Sequence, residues 1–251
     1  MASKTVMIDP TVPRGVLFDL DNTLHDRDQA FVDWARAFVR REAHITDPSE
    51  EREAIDLILS LDRGGEGDKL EMFQTLRARY PAIEPSADIL LAAFFAHRTD
   101  YMMLSDNVER LLNVLDRRAI PWGIVTNGRA EQWDKLRRLN LHGAGAKCIL
   151  VSHEFGRAKP HPSIFLAAAE KLGVSPGDVL FVGDHPVNDI AGARGASLRT
   201  AWLRRGREWP AEMRETPPEI ILDDIGQLSV LFAGNAEPLS VEEAAKAAKS
   251  C

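Results

Sequence analysis

The chain has 251 residues, 45% of them apolar, and a formal net charge of -7, which is enough apolar material for one large core or two modest ones. Acidic and basic residues are mixed along its length, so no basic stripe exists to neutralise a nucleic-acid backbone, and a phosphorylated ligand would have to be met by local cations. No stretch approaches a membrane span, Met1-Ala2-Ser3-Lys4 lacks the apolar run of a secretory signal, and Cys148 and Cys251 follow no ligand spacing, so a cytoplasmic protein without membrane, disulfide or zinc is expected.

Gly15 to Phe18 is a short apolar run of the kind a buried parallel strand makes, and it stops at Asp19-Leu20-Asp21-Asn22-Thr23-Leu24. A strand repeats every two residues, so Asp19 and Asp21 start out on one side, and the Asn-Thr turn bends the chain away and exposes both. Alone, such a run reads equally as a solvated strand end followed by a turn; as chemistry it offers a nucleophile for in-line phosphoryl transfer and its proton donor. From about Arg27 to Asp100 the pattern changes to helical periods, such as Phe31, Trp34, Phe38 and Leu70, Phe73, Leu76, Tyr80, with no convincing strand. Four helices are predicted there, with turn and capping chemistry at Thr46-Asp47-Pro48-Ser49 and Asp62-Arg63-Gly64-Gly65-Glu66-Gly67, and with the apolar stretch Ile89 to Phe95 as the central helix. The expected organisation is a sheet domain from 1–25 and 106–232, an all-helical insert at 26–105 hinged near Asp26 and Ser105, and a tail at 233–251. In that tail, Glu242 and Lys246 among alanines predict a short solvated helix.

Beyond the insert, apolar runs at Ala119 to Val125, Lys147 to Val151, Asp178 to Val182 and Leu198 to Leu203 alternate with helical patterns at Ala130 to Asn140, Pro162 to Leu172 and Pro186 to Arg194. The alternation predicts an α/β fold with a doubly wound parallel sheet, whose ligands sit at the carboxyl ends of the strands. Four of the five runs end in residues that look chemical. Together these ends resemble the haloacid dehalogenase superfamily in order and spacing. Phe18-Asp19-Leu20-Asp21-Asn22-Thr23-Leu24 is similar to its first motif, Ile124-Val125-Thr126-Asn127-Gly128 to its second, Lys159-Pro160 to its third, and Gly183-Asp184 with Asp189 to its fourth. The resemblance implies a Rossmann-like core with the insert as an all-helical cap, and a small organophosphate as substrate.

Each residue also has a physical reason. Asp19 as nucleophile would split hydrolysis into phosphorylation and dephosphorylation of the enzyme. Asp21 would protonate the leaving oxygen and later take a proton from water, starting neutral beside an ionised neighbour. A carboxylate attacking a phosphate needs a bridging cation, and oxygen donors without clustered histidine or cysteine favour Mg2+. Asp19, the carbonyl of Asp21 and Asp184 are the expected ligands, with Asp189 steadying bound water or ligating directly. Thr126 would offer its hydroxyl and Asn127 and Gly128 their amides to a phosphoryl group, while Lys159, ahead of a proline, would screen the charge on Asp19 and the phosphate. His25, His161 and His185 each follow one of these motifs without sharing ligand spacing, so border roles are expected, with His25 nearest the substrate. Asp26, Arg27 and Arg63 are weaker candidates.

The reaction read from this set is Mg2+-dependent hydrolysis of a small phosphate monoester through an aspartyl-phosphate. Dehalogenases of the superfamily lack a carboxylate at the place of Asp21, because a departing halide needs no proton. A phosphomutase would use the same residues. A receiver-type signalling module also phosphorylates an aspartate, but its acceptor lies on a later strand, whereas Asp19 ends the first.

Overall fold

The computed structural model describes residues 12–143 and 145–233; the tail helix expected around Glu242 and Lys246, and Cys251, lie outside the described residues. Strands β1 (Gly15–Phe18), β2 (Trp122–Thr126), β3 (Cys148–Val151), β4 (Val179–Gly183), β5 (Arg199–Leu203) and β6 (Ile220–Leu222) form one sheet of order β3-β2-β1-β4-β5-β6. All five pairings are parallel. Every residue of β1, β2 and β4 is buried, which a central parallel strand requires because helices cover both faces.

Strand periodicity divides the side chains between two cores. Val16 and Phe18 join the cluster covered by α5 (Asp106–Arg117), α6 (Glu131–Arg138) and α10 (Gln227–Ala233), while Leu17 joins Phe165 and Ala168 of α8 (Pro162–Leu172) and Ala193 of α9 (Gly192–Gly195). Between β3 and α8 lies the single turn α7 (Ser152–Phe155). The chain winds outward from β1 in both directions, so the strand order reverses between β1 and β4. A crevice opens there at the carboxyl ends, and Asp19 and Asp184 are the residues that follow those two strands.

In the sheet region the structure departs from the sequence reading at several elements. The run Ala119 to Val125 becomes a strand only at Trp122, because Ala119 adopts φ 53° and Ile120 donates back to the Leu115 carbonyl, closing α5. β6 went unread because it is three residues at the sheet edge with Ile221 half exposed. Pro186 to Arg194 is not one α-helix: Pro186–Ala191 is a π-helical turn in which the His185 carbonyl accepts from both Asp189 and Ile190, and α9 follows.

The insert holds α1 (Arg27–Glu42), α2 (Pro48–Asp62), α3 (Lys69–Arg79) and α4 (Ala87–His97), each started by an N-cap side chain from Asp26, Asp47, Asp68 and Ser86 respectively. Its apolar cluster is separate from the sheet's two, and its centre is Trp34 of α1, whose ring lies 4.9 Å from Phe94, 5.2 Å from Phe31 and 5.3 Å from Phe38. The expectation that Ile89 to Phe95 forms the central helix is therefore corrected. α4 buries only Ala87, Leu90 and Phe94, leaving Ile89 61% and Phe95 49% exposed, because aromatic bulk on α1 fills the middle. Where the insert leaves and rejoins the sheet region, His25 bridges to Asp21 and to Leu104, so the two connecting segments run side by side. No helix among the described residues is long and apolar enough to cross a membrane.

Candidate active site

The Asp19 amide donates to the Val182 carbonyl at 2.9 Å, prolonging the β1–β4 ladder by one bond and fixing where its carboxylate starts. Lys159 reaches it from the loop before α8: Nζ donates to Asp19 Oδ1 at 2.6 Å and to Asp189 Oδ1 at 2.7 Å, with only 4% of the lysine exposed. Asn127, just past β2, holds the lysine's backbone from both sides, its Nδ2 donating to the Lys159 carbonyl at 2.9 Å and its Oδ1 accepting the Lys159 amide at 2.8 Å. Asp189, on the π-helical turn, is 1% exposed and accepts the His185 amide on Oδ2 at 2.9 Å. Gly183 permits this approach, since a Cβ there would run into the Asp189 carboxylate. One carboxylate oxygen each from Asp19, Asp184 and Asp189 lie within 4.8 Å of one another.

Asp184 is held in turn by the β5–β6 connection. Arg207 Nη2 donates to its Oδ2 at 2.9 Å and to its carbonyl at 2.7 Å, and Trp202 Nε1 donates to the same carbonyl at 2.8 Å. Asp21 stands outside this cluster. Its carboxylate takes Lys135 Nζ on both oxygens, at 2.7 and 2.6 Å, Gln132 Nε2 on Oδ2 at 3.1 Å, and has His25 Nε2 2.9 Å from Oδ1.

Residues 13–197 match the family model of the haloacid dehalogenase-like hydrolases. The chain belongs to that family. Among its relatives, glyceraldehyde 3-phosphate phosphatase of Methanopyrus kandleri is 34% identical over 80% of this chain and 88% of its own. Phosphoglycolate phosphatase of Xylella fastidiosa is 32% identical over 83% and 91%. Among solved structures, the HAD-hydrolase YfnB of Bacillus subtilis bound to magnesium has the same fold, with a TM-score of 0.67 and 24% identity over 88% of this chain and 99% of that one.

In this haloacid dehalogenase-like site the charges are uneven. Burial, reinforced by Asp189 and Asp184, pushes Asp19 up to about 8 despite the opposing Lys159. Burial and Asp189 also raise Asp184, against Arg207. Burial works to lower Lys159, but Asp189 and Asp19 outweigh it and keep the ammonium charged. Three carboxylates thus face one buried lysine, on Asp19 and Asp189, and one half-exposed arginine, on Asp184, and a cation fits the remaining deficit. The donors are all oxygen, which suits a hard ion such as Mg2+. Both oxygens of Asp189 are engaged by Lys159 and the His185 amide, so Asp19 and Asp184 are the better placed ligands.

Two expectations need correction. Asp21 was expected to start neutral beside an ionised Asp19, yet the polarity is reversed. Burial would raise the Asp21 carboxyl, but Lys135 and His25 outweigh it and hold it well below the usual carboxylate range. The Gly128 amide was expected to face a phosphoryl group, yet it donates to Ser152 Oγ at 3.1 Å. Thr126 ends β2 fully buried, its hydroxyl making only a long 3.4 Å contact with the Asn127 carbonyl.

Of the histidines, His161 and His185 accept backbone amides through Nδ1 at the starts of α8 and the π-helical turn, which makes them helix caps. His25 alone joins the chemical set, through Asp21. Asp26 caps α1 and pairs with Arg205 at 2.6 Å, Arg27 pairs with buried Asp62 at 2.6 Å, and Arg63 closes α2 at φ 49°. Sequence reasoning missed Gln132, Lys135, Ser152 and Arg207. The signal for the first two was present, because residues three apart on the helix after the Thr126-Asn127-Gly128 turn share a face. A cavity of about 690 Å³ runs along the connecting segments past His25, Asp26, Tyr101 and Arg205, and its lining includes Asp184 but not Asp19, Thr126 or Lys159.

Proposed function

We propose that this chain is a Mg2+-dependent phosphatase of small organic phosphate monoesters, acting through a phosphorylated Asp19. The observation that carries it is the convergence of Asp19, Asp184 and Asp189 within 4.8 Å at the sheet's switch point, with Lys159 on the first. Asp19, whose proton a bound cation would displace, attacks phosphorus, forming the P–O bond to its carboxylate as the bond to the ester oxygen breaks. Asp21, ionised in the substrate-free site, takes up the proton of the arriving phosphate monoanion, gives it to that oxygen and then takes one from the water that cleaves the acyl phosphate. Thr126, with the amide of Asn127, faces the phosphoryl oxygens; Lys159 offsets the charge on Asp19 and the transferring group, and Asp189 and Asn127 fix the lysine. A Mg2+ ion held by Asp19, Asp184 and the Asp21 carbonyl would screen the repulsion between attacking carboxylate and phosphate.

The insert at 26–105 serves as a cap over the core at 1–25 and 106–232, with Asp26 and Ser105, the N-caps of α1 and α5, at its hinges. Such a cap favours small substrates, and the relatives' phosphoglycolate and glyceraldehyde 3-phosphate are of that kind. Asp21 favours a phosphate ester over an organohalide, whose leaving group needs no proton. The cytoplasm is the proposed compartment. The test is phosphate release from a panel of monoesters, including these two, with Mg2+. One ester should be clearly preferred, with activity abolished by chelation and restored by Mg2+. Release from none of them, or turnover indifferent to exhaustive chelation, would refute the proposal.

A further inference from the structure

The geometry points to Lys135 as a positioning residue that aims the Asp21 carboxylate at the leaving-group oxygen. The inference rests on the reading of Asp21 as the proton shuttle. Asp21 lies in the turn after β1, with nothing in its own segment but His25 to fix its side chain. Its remaining contacts come from α6, 111 and 114 residues away in sequence. Lys135 Nζ sits between both oxygens, at 2.7 and 2.6 Å, so it sets the rotation of the carboxylate as well as its place. Gln132, one turn earlier, takes Oδ2 and at the same time donates to the Asn127 carbonyl at 2.7 Å, tying Asp21 to the turn that carries Thr126.

The helix behind this clamp is itself anchored. Leu136 is fully buried in the sheet's core. On its outer side Asp134 pairs with Arg98 at 2.8 Å, and Arg138 donates to the carbonyls of Thr99 and Asp100 at 3.1 and 2.9 Å, the segment where the insert returns to the sheet. Asp21 is therefore aimed from a rigid element that also registers where the insert ends, which is what precise placement of a proton donor requires.

Leaving groups separate a positioning role from a structural one. The ratio kcat/KM reports the first half-reaction, in which a poor alkoxide leaving group needs its proton and p-nitrophenolate does not. Wild type, Lys135→Met, Lys135→Arg and Asp21→Asn are compared on p-nitrophenyl phosphate and on the alkyl phosphate of the panel that wild type turns over fastest, at saturating Mg2+. Lys135→Met should lose about 10-fold or more in kcat/KM on the alkyl ester, a fraction of the usual general-acid contribution, and about 3-fold or less on the aryl ester. Lys135→Arg, whose fork also spans two carboxylate oxygens, should recover most of that loss. Equal losses on both esters, or no loss on either, would overturn the assignment, and if Lys135→Met does not fold, a Lys135→Arg variant with wild-type discrimination supports it while one with equal losses overturns it. Asp21→Asn separates the two layers: if it keeps wild-type turnover of the alkyl ester, the shuttle reading fails as well.

Discussion

Asp19 and Asp21 are two residues apart, the first buried and the second partly buried, yet their surroundings drive them in opposite directions. Asp19 faces two other carboxylates and one lysine, whereas Asp21 meets Lys135 and His25. The consequence is a stability that depends on both pH and metal. Burial beside Asp189 and Asp184 pushes the Asp19 carboxyl from its ordinary 3.8 up to about 8, and Asp184 is raised too. Between those values the folded state holds protons that the unfolded chain has released, so these groups make stability fall as pH rises through that window. Asp21, with its lowered pKa, contributes the opposite: stability present above the unfolded value and lost as pH falls towards its own. A divalent ion bound at the proposed site would take over the role of the protons on Asp19 and Asp184. Thermal unfolding with Mg2+ and with chelator should therefore show a larger Mg2+ gain in Tm at about pH 8 than at about pH 5, and an equal gain at both would remove the ion from these carboxylates. At this scale Asp19, Lys159, Asp184 and Asp189 were legible in the sequence because each closes an apolar strand or the loop after one. Lys135 shows in the sequence only as one face of a helix with Gln132, and Arg207 not at all, because their partners lie 114 and 23 residues away.

Helices of the insert were legible from their apolar period and their caps, since Asp47-Pro48 and Ser86 are local signals that need no tertiary context. What tertiary packing decided was not legible, such as which face of the nearly all-apolar α4 would be covered, or the three-residue edge strand β6. Nor did periodicity reveal the ionic pin at the end of α2. Asp62, 1% exposed, pairs with Arg27 of α1 at 2.6 Å and Lys69 of α3 at 2.9 Å, so three helices meet on one carboxylate. Removing it leaves two partly buried cations facing each other. Asp62→Ala should cost about 3–5 kcal/mol in denaturant unfolding, against about 1 kcal/mol for the exposed N-cap change Asp47→Ala. Equal costs would show that water already solvates the Arg27–Asp62–Lys69 group.

For the whole molecule, the strand order β3-β2-β1-β4-β5-β6 is what makes the chemistry possible, because it puts the reversal between β1 and β4 and so brings residues 19 and 184 together from distant parts of the chain. The alternation of apolar runs and helical periods announced a doubly wound sheet, and the punctuation of those runs announced where its site would lie. Tyr101 packs against both the sheet's core and the insert's, joining the two apolar bodies beside the segments proposed as hinges. The most direct measurement is to quench the enzyme with acid during turnover of its preferred ester and map covalent phosphate by mass spectrometry. A phosphoryl group on Asp19, formed with Mg2+ and absent after chelation or in Asp19→Asn, is the expected result; steady turnover with phosphate on another residue, or undiminished turnover in folded Asp19→Asn, would contradict it.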